Sequence, residues 1–422
     1  YFGQNAWNEP LGSAPDPWTG ELHLDLARAM ERACFDYLLI EDTLSIPAVH
    51  GGSNATYLKW GIMVPKHDPA PLAAILGTAT SRLGIVITLS TMAYPPFMLA
   101  RLAATLDHLS RGRFGWNIVT GTEDAAARNF GKTEMPPRAL RYDMADEYVD
   151  LVTKLFESWE PDAVIRDYEA GVYADAAKVH AVNFEGRWFS STGPLNTVRC
   201  PQGRPAYIQA GGSPRGRAFA AQHADSIIAT TNGIEGMKRY RDDVRARAAA
   251  LGRDPDSLKI LFLIAPVVGE TMEEARGQYE RVLASPGFTE RTLALFGSFV
   301  DIDFSVFDLD APLPPLTTNA EQGALDKFCQ PGSGKTLRQL VRDSGTTSSL
   351  ELVGTPDHVA ALMGEAMAEV GGDGFLITTP YHRLTRSYIA SITDGLVPAL
   401  QRRGLTRTAY TKATLRETLR EF

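Results

Sequence analysis

"YIQAGGSPRGRAFAA", residues 207–221, sets a short apolar run directly against two glycines, a serine, a proline and an alanine-rich helical pattern. The spacing predicts a strand over 206–211 that turns at once into a helix beginning at Pro214. Gly211 and Gly212 let the backbone turn and approach a ligand closely. Ser213 stands at the N-cap and Pro214 at the first helical position, each the residue type that place prefers. A helix that starts so points free N–H groups and a positive dipole end above the strand, with Arg215 and Arg217 close by. The natural guest is an anion, a phosphate above all. A plain capped turn would look the same, so the rest of the chain has to decide.

The same strand-then-helix unit repeats in both directions. Apolar runs at 36–42, 82–90, 113–120, 224–230, 258–268 and 373–379 read as further strands. Helical patterns cover 21–34, 69–80, 96–110, 141–159, 214–223, 234–251, 272–284 and 356–370. Parallel strands joined by helical crossovers predict an α/β fold, specifically a (β/α)8 TIM barrel, with Tyr1–Phe2 as the tail of the eighth strand. The alternative is an open, doubly wound sheet. The whole chain, 1–422, reads as one barrel domain with two stretches outside the alternation, 160–205 and 285–350. Both are too long for plain connections and are expected to pack over the catalytic face, the second as a lid.

In a barrel, polar residues at strand ends meet at one mouth. Asp42, Thr88, Ser90, Asn117, Gly212 and Ser213 all fall at such ends. The loop near the start, with Trp7 and Trp18, belongs to the same face. The eight histidines form no HxH or HExxH spacing, which argues against a metal enzyme. "QPGSGKT" (330–336) imitates a phosphate loop, yet Cys329 stands where its first glycine is required, and Thr336 reads better as a helix cap. No GxSxG elbow appears. Lack of an evident acid, base or nucleophile suits chemistry carried by a cofactor.

Composition narrows the classes. The 422 residues are 44% hydrophobic and 22% charged with net charge −8, giving no basic footprint for nucleic acid or an anionic membrane. Cys34, Cys200 and Cys329 are widely spread with no CxxC, which points to a reducing, cytoplasmic setting. No apolar run reaches membrane-spanning length, and no secretory leader is read.

"STMAYPPFMLARLAATLDHLSRGRFGWNIVTG" (90–121) resembles the nitrilotriacetate monooxygenase component A group of the bacterial luciferase-like flavin monooxygenases. That group includes dibenzothiophene-sulfone and pristinamycin-type enzymes. "RYDMADEYVDLVTKLFESWE" (141–160), "FEGRWFSSTGPLN" (184–196) and "LVGTPDHVAALM" (352–363) extend the likeness over nearly the whole chain. The resemblance implies a TIM barrel using reduced FMN and O2. It also implies a separate NADH-dependent flavin reductase as partner, a small-molecule substrate, and a homodimer or homotetramer. Carried over by motif, FMN contacts fall on Asp42, Thr88, Tyr142, Gly212 and Ser213. Asn117 is expected at the flavin ring or the reacting oxygen, and Trp7 at the substrate. Relatives commonly have a histidine four residues before Tyr142, whereas this chain has Arg138. A permanently cationic guanidinium there holds an anion, flavin or substrate, but is no acid–base switch. A hydride-transferring reductase using a deazaflavin, or a non-catalytic flavin binder, are the competing readings on the same barrel.

Overall fold

The computed structural model describes residues 17–121, 123–330, 332–344, 350–379 and 384–421. Seven parallel strands form one sheet: β1 (Tyr37–Ile40), β2 (Gly84–Ser90), β3 (Phe114–Val119), β4 (Ala206–Gln209), β5 (Ser226–Ala229), β6 (Lys259–Ile264) and β7 (Gly374–Ile377). They lie side by side in chain order, without the reversal that defines a doubly wound sheet. The barrel reading therefore stands, and the sheet is curled. Residues of its two edge strands, Leu38 and Leu39 of β1 and Phe375 and Ile377 of β7, face one common cavity. The expected eighth strand at Tyr1–Phe2 and the substrate contact Trp7 lie outside the described residues.

Crossover helices cover the outside: α1 (Glu21–Arg32), α2 (Pro69–Ala79), α3 (Pro96–Leu109), α4 (Arg138–Glu157), α5 (Pro214–His223), α6 (Gly233–Ala250) and α7 (Met272–Leu283). α2 is opened by Asp68, whose side chain accepts from the Ala70 N–H, with Pro69 at the first position. Between β2, β3, α3 and α4 lies a large apolar core that includes Trp116, Tyr148 and Phe156, all fully buried. The Trp116 indole N–H donates to the Leu89 carbonyl (2.9 Å) and its ring meets Tyr207 edge-on at 5.6 Å.

The end of the barrel opposite the cavity is plugged by the C-terminal segment. Leu415 and Leu419 pack with Val86, Ala206 and Ile208 inside the sheet. Gly84 and Gly115 make room for it: a Cβ at Gly84 would lie 2.7 Å from Leu415, and one at Gly115 2.8 Å from Val86.

After α7 the chain leaves the barrel to build α8 (Phe288–Val300), α9 (Gln322–Cys329) and α10 (Leu337–Ser344), and returns to α11 (Pro356–Val370) before β7. This excursion closes at its base through Val267–Val268, paired in parallel with Val353–Gly354. The run 258–268 is thus two pieces rather than one strand, broken after Ile264. α8–α10 have their own apolar cluster, centred on Phe304, Leu325, Phe328 and Leu340. Thr336 does cap α10, accepting from the Gln339 N–H (3.3 Å).

The other stretch, 160–205, departs from expectation. It forms two small hairpins, Val164–Asp167 with Val172–Ala174 and Phe184–Glu185 with Ser190–Ser191. They pack on the outer helices: Glu147 of α4 accepts from the N–H groups of Arg187, Trp188 and Phe189 at 2.8 Å each. None of its described residues lines the cavity. Glu147 anchors this stretch to the side of the barrel, away from the mouth.

Candidate active site

The cavity encloses about 570 Å3 at the carboxyl ends of the seven strands. That is the size of a small-molecule or cofactor site, at the barrel end where such sites are built. Its wall is mostly apolar, with a few convergent polar groups. Asp42, Thr88, Asn117, Arg138, Tyr142, Gly212 and Ser213 all lie on it. The polar positions singled out from the sequence are therefore brought together, while Trp7 lies outside the described residues.

One end is the turn from β4 into α5. The Ser213 side chain accepts from the Gly216 N–H (3.1 Å), and Pro214 begins the helix. The two glycines divide their work. A Cβ at Gly211 would lie 2.5 Å from Gln209 Oε1 and 2.7 Å from the Gly216 backbone, so Gly211 lets strand and helix pack. A Cβ at Gly212 would meet nothing closer than 3.8 Å and would instead project into the cavity. That leaves a bare backbone at the N-terminal end of α5, a cradle suited to a phosphate.

α4 supplies the facing wall. It begins at Arg138, three residues earlier than its periodicity predicts, because Pro136 and Pro137 set an extended entry. Arg138 and Tyr142 are one helical turn apart and share a face. The Tyr142 hydroxyl sits over Gly216, 2.8 Å from where a Cβ there would be. Burial raises its pKa, so it stays a neutral donor. The Arg138 Nη1 donates to the Ala320 carbonyl (3.1 Å), and its backbone N–H to Asn319 Oδ1 (3.0 Å). The guanidinium thus faces the site rather than solvent.

The other end is the floor above β1–β3. Asn117 Nδ2 donates to Thr88 Oγ1 (2.8 Å), while the other end of that amide is buried without a partner among the described residues. Thr379 Oγ1, past β7, is in the same condition. Whichever way the amide is turned, one polar end remains unsatisfied, and such a group calls for a ligand. Asp42 stands beside them, its pKa pushed up to about 7 by burial, against the pull of Lys66.

Sequence reading missed several groups on this wall. Arg141 is buried, with Nη2 donating to the Asn319 carbonyl (3.1 Å) and Nη1 to that of Pro136 (2.6 Å). It precedes Tyr142 directly, so the helical face could have pointed to it. Glu123 accepts from Thr43 Oγ1 at 3.0 Å and also from Ser45 Oγ, and burial raises its pKa. It is the first charge after β3, a signal that strand-end logic could have used. Glu321 comes from the excursion, where no periodicity marks it. Among the described residues no group of three or more metal-ligating side chains is found, and no helix is long and apolar enough to cross a membrane.

The chain is similar over nearly its whole length to known proteins. A family model for luciferase-like monooxygenases matches residues 11–374. Dibenzothiophene-sulfone monooxygenase of Rhodococcus erythropolis is 36% identical over 98% of this chain and 92% of its own length. Nitrilotriacetate monooxygenase component A of Aminobacter aminovorans is 35% identical over the same shares, 98% and 92%. The crystal structure of a riboflavin lyase with modified FMN and riboflavin superposes with a TM-score of 0.89 at 35% identity, over 100% of this chain and 93% of that one. The chain belongs to the luciferase-like monooxygenase family of flavin-dependent oxidoreductases.

Proposed function

We propose that this chain is the oxygenase component of a two-component system, taking reduced FMN from a separate NADH-dependent flavin reductase in the cytoplasm. When bound, reduced FMN supplies the electrons that activate O2, and one oxygen atom passes to a small organic substrate. The observation that carries this reading is the pairing of a bare anion cradle at Gly212 with an unsatisfied buried amide at Asn117, both on one apolar cavity.

The residues divide by role. Gly212 and Ser213 would receive the phosphate, with the Tyr142 hydroxyl and the Arg138 guanidinium donating to it from α4. Thr88, Asn117 and Asp42 would meet the polar edge of the flavin ring, Asp42 accepting from the ring N–H and Asn117 satisfying its orphaned amide. Arg138 fills the place of the relatives' histidine as a fixed charge, so no proton passes through it. Trp7 is proposed to border the substrate. α8 and α9 would exclude water, which a reactive flavin–oxygen site needs.

The test is stopped-flow mixing of the anaerobic enzyme–reduced FMN complex with oxygenated buffer. A transient absorbance distinct from reduced and oxidised FMN supports the monooxygenase. Reoxidation as fast as free flavin, with and without candidate sulfides, sulfones and aminopolycarboxylates, counts against it. Inertness to O2 would point to the hydride-transferring reductase instead.

A further inference from the structure

Glu321 is a cavity group to which that reading gives no task. It sits on the stem of α9, with residues anchored to the site on both sides. The Ala320 carbonyl accepts from Arg138, and a Cβ at Gly323 would lie 3.4 Å from the Gly212 carbonyl carbon. The stem therefore lies across the phosphate cradle. Glu321 lines the cavity with an exposed side chain, and among the described residues its carboxyl has no hydrogen-bond or ion-pair partner. An ionised carboxylate in that position opposes a phosphate dianion, whereas a protonated one donates a hydrogen bond to it.

We propose that Glu321 makes FMN loading proton-linked: as the flavin phosphate docks at Gly212–Ser213, Glu321 takes one proton from solvent and donates it in a hydrogen bond to a phosphate oxygen. No covalent bond changes, so the balance is one proton taken up per FMN bound. The proposal rests on the cavity being the FMN site.

The neighbours are consistent with this. From the β3 side Glu123 faces it, and burial together with that like charge raises the Glu321 pKa to about 7. From α4 come Arg138, Arg141 and Tyr142, the last of which is held above its ordinary pKa in part by Glu321. On α9 itself, Gln322 donates to Asp326 (2.8 Å), and burial lowers Lys327 to about 8. On α5, Arg215 is paired with Asp143 and Asp146. Lys327 is thus the other group on the excursion able to titrate between pH 7 and 9, and the test has to separate it.

The experiment measures dissociation constants of oxidised FMN and of riboflavin, by quenching of flavin fluorescence from pH 7 to 9. Both the wild-type chain and Glu321→Gln are titrated. Over this range the FMN phosphate is already a dianion, since its second pKa is about 6. For the wild type, the FMN constant is expected to rise with pH, approaching about tenfold per unit, the limit for one linked proton. Riboflavin, lacking the phosphate, should change less than about threefold, because it cannot report the pair. Glu321→Gln should flatten the FMN curve and bind FMN more tightly than the wild type at pH 9, its riboflavin constant confirming that it is folded. A variant keeping the wild-type slope overturns the proposal and moves the proton to another group, Glu123 or Lys327. Riboflavin sharing the slope overturns it, because the linked proton then does not depend on the phosphate. A flat wild-type curve overturns the proposal alone, whereas absence of FMN binding at every pH overturns the flavin reading beneath it.

Discussion

The strand ends of the barrel and the α8–α10 excursion face the same cavity but are held in place differently. Thr88 and Asn117 project from β2 and β3, whose residues merge into the largest apolar core. The excursion has a core of its own, and its stem reaches the cavity edge through polar latches: Arg138 and Arg141 to the backbone of 319–320. Its further anchors are Trp60 donating to Glu290 (2.8 Å) and the Gly51 N–H donating to Asp303 (3.1 Å). A wall with a shared core keeps its geometry when the cavity empties or fills. A cover with a core of its own, joined to the rest by these latches and by Ala294 and Leu295 packing on Tyr57, Ile62 and Met63, is expected to exchange its amides independently of the barrel wall.

The strongest way to break that contrast is to damage each core separately. Trp116→Ala and Phe328→Ala each remove a buried aromatic at a cost of about 3–5 kcal/mol. Trp116 lies in the barrel core, so its loss should lower the melting temperature of the whole chain and of its barrel amides alike. Phe328 stacks on Phe296 at 4.5 Å and meets Phe304 edge-on at 5.2 Å, all within the excursion. Its loss should raise amide exchange across 288–344 while β1–β4 stay protected. Equal exchange throughout the chain in both variants would show that the two regions unfold as one.

The same contrast explains what could be read from sequence. Each of β1–β7 showed as an apolar run, because a parallel strand buried on both faces needs one. Asp42, Thr88, Asn117 and Ser213 were found because barrel geometry alone carries strand ends to one mouth. Glu321 was not, because its place is set by how α8–α10 pack on one another and by the Arg138 and Arg141 latches, none of which leaves a periodic trace. The hairpins of 160–205 were misplaced for a related reason. Their length marked them as insertions, but only Glu147 and its three backbone partners fix the side on which they settle.

A smaller effect tests whether the barrel wall holds its charge against its own stability. Asp42 has a folded pKa of about 7, against about 3.9 in an unfolded chain. The native protein therefore binds the extra proton between those values, and the flavin-free chain loses stability as pH rises from 5 to 8. Asp42→Asn removes that loss. Cavity water reduces the gain, which should grow by about 1–2 kcal/mol between pH 5 and pH 8. FMN should bind severalfold more weakly to the variant, since a neutral amide replaces a charged acceptor. Thermal melts of the flavin-free protein at the two pH values check the sign. A variant less stable than the wild type at pH 8 would mean that Asp42 has a favourable partner rather than an exposed burden.

The smallest effect separates the two halves of the phosphate site. Ser213→Ala removes the cap on α5, worth about 1 kcal/mol, and with it one hydroxyl from the cradle. The turn should keep its path, because Gly211 is wedged between Gln209 and Gly216 and Pro214 still starts the helix. FMN affinity should then fall by about fivefold to tenfold, within the range for one ordinary hydrogen bond, while riboflavin affinity holds. A hydroxyl does not titrate in this range, so the loss should be the same at pH 7 and pH 9. The barrel half of the site would thus weaken FMN by a constant factor and the excursion half by a factor that grows with pH. If the Ser213→Ala loss itself changed with pH, the two halves would be coupled through the phosphate, and the cover could not be treated as a separate unit once flavin is bound.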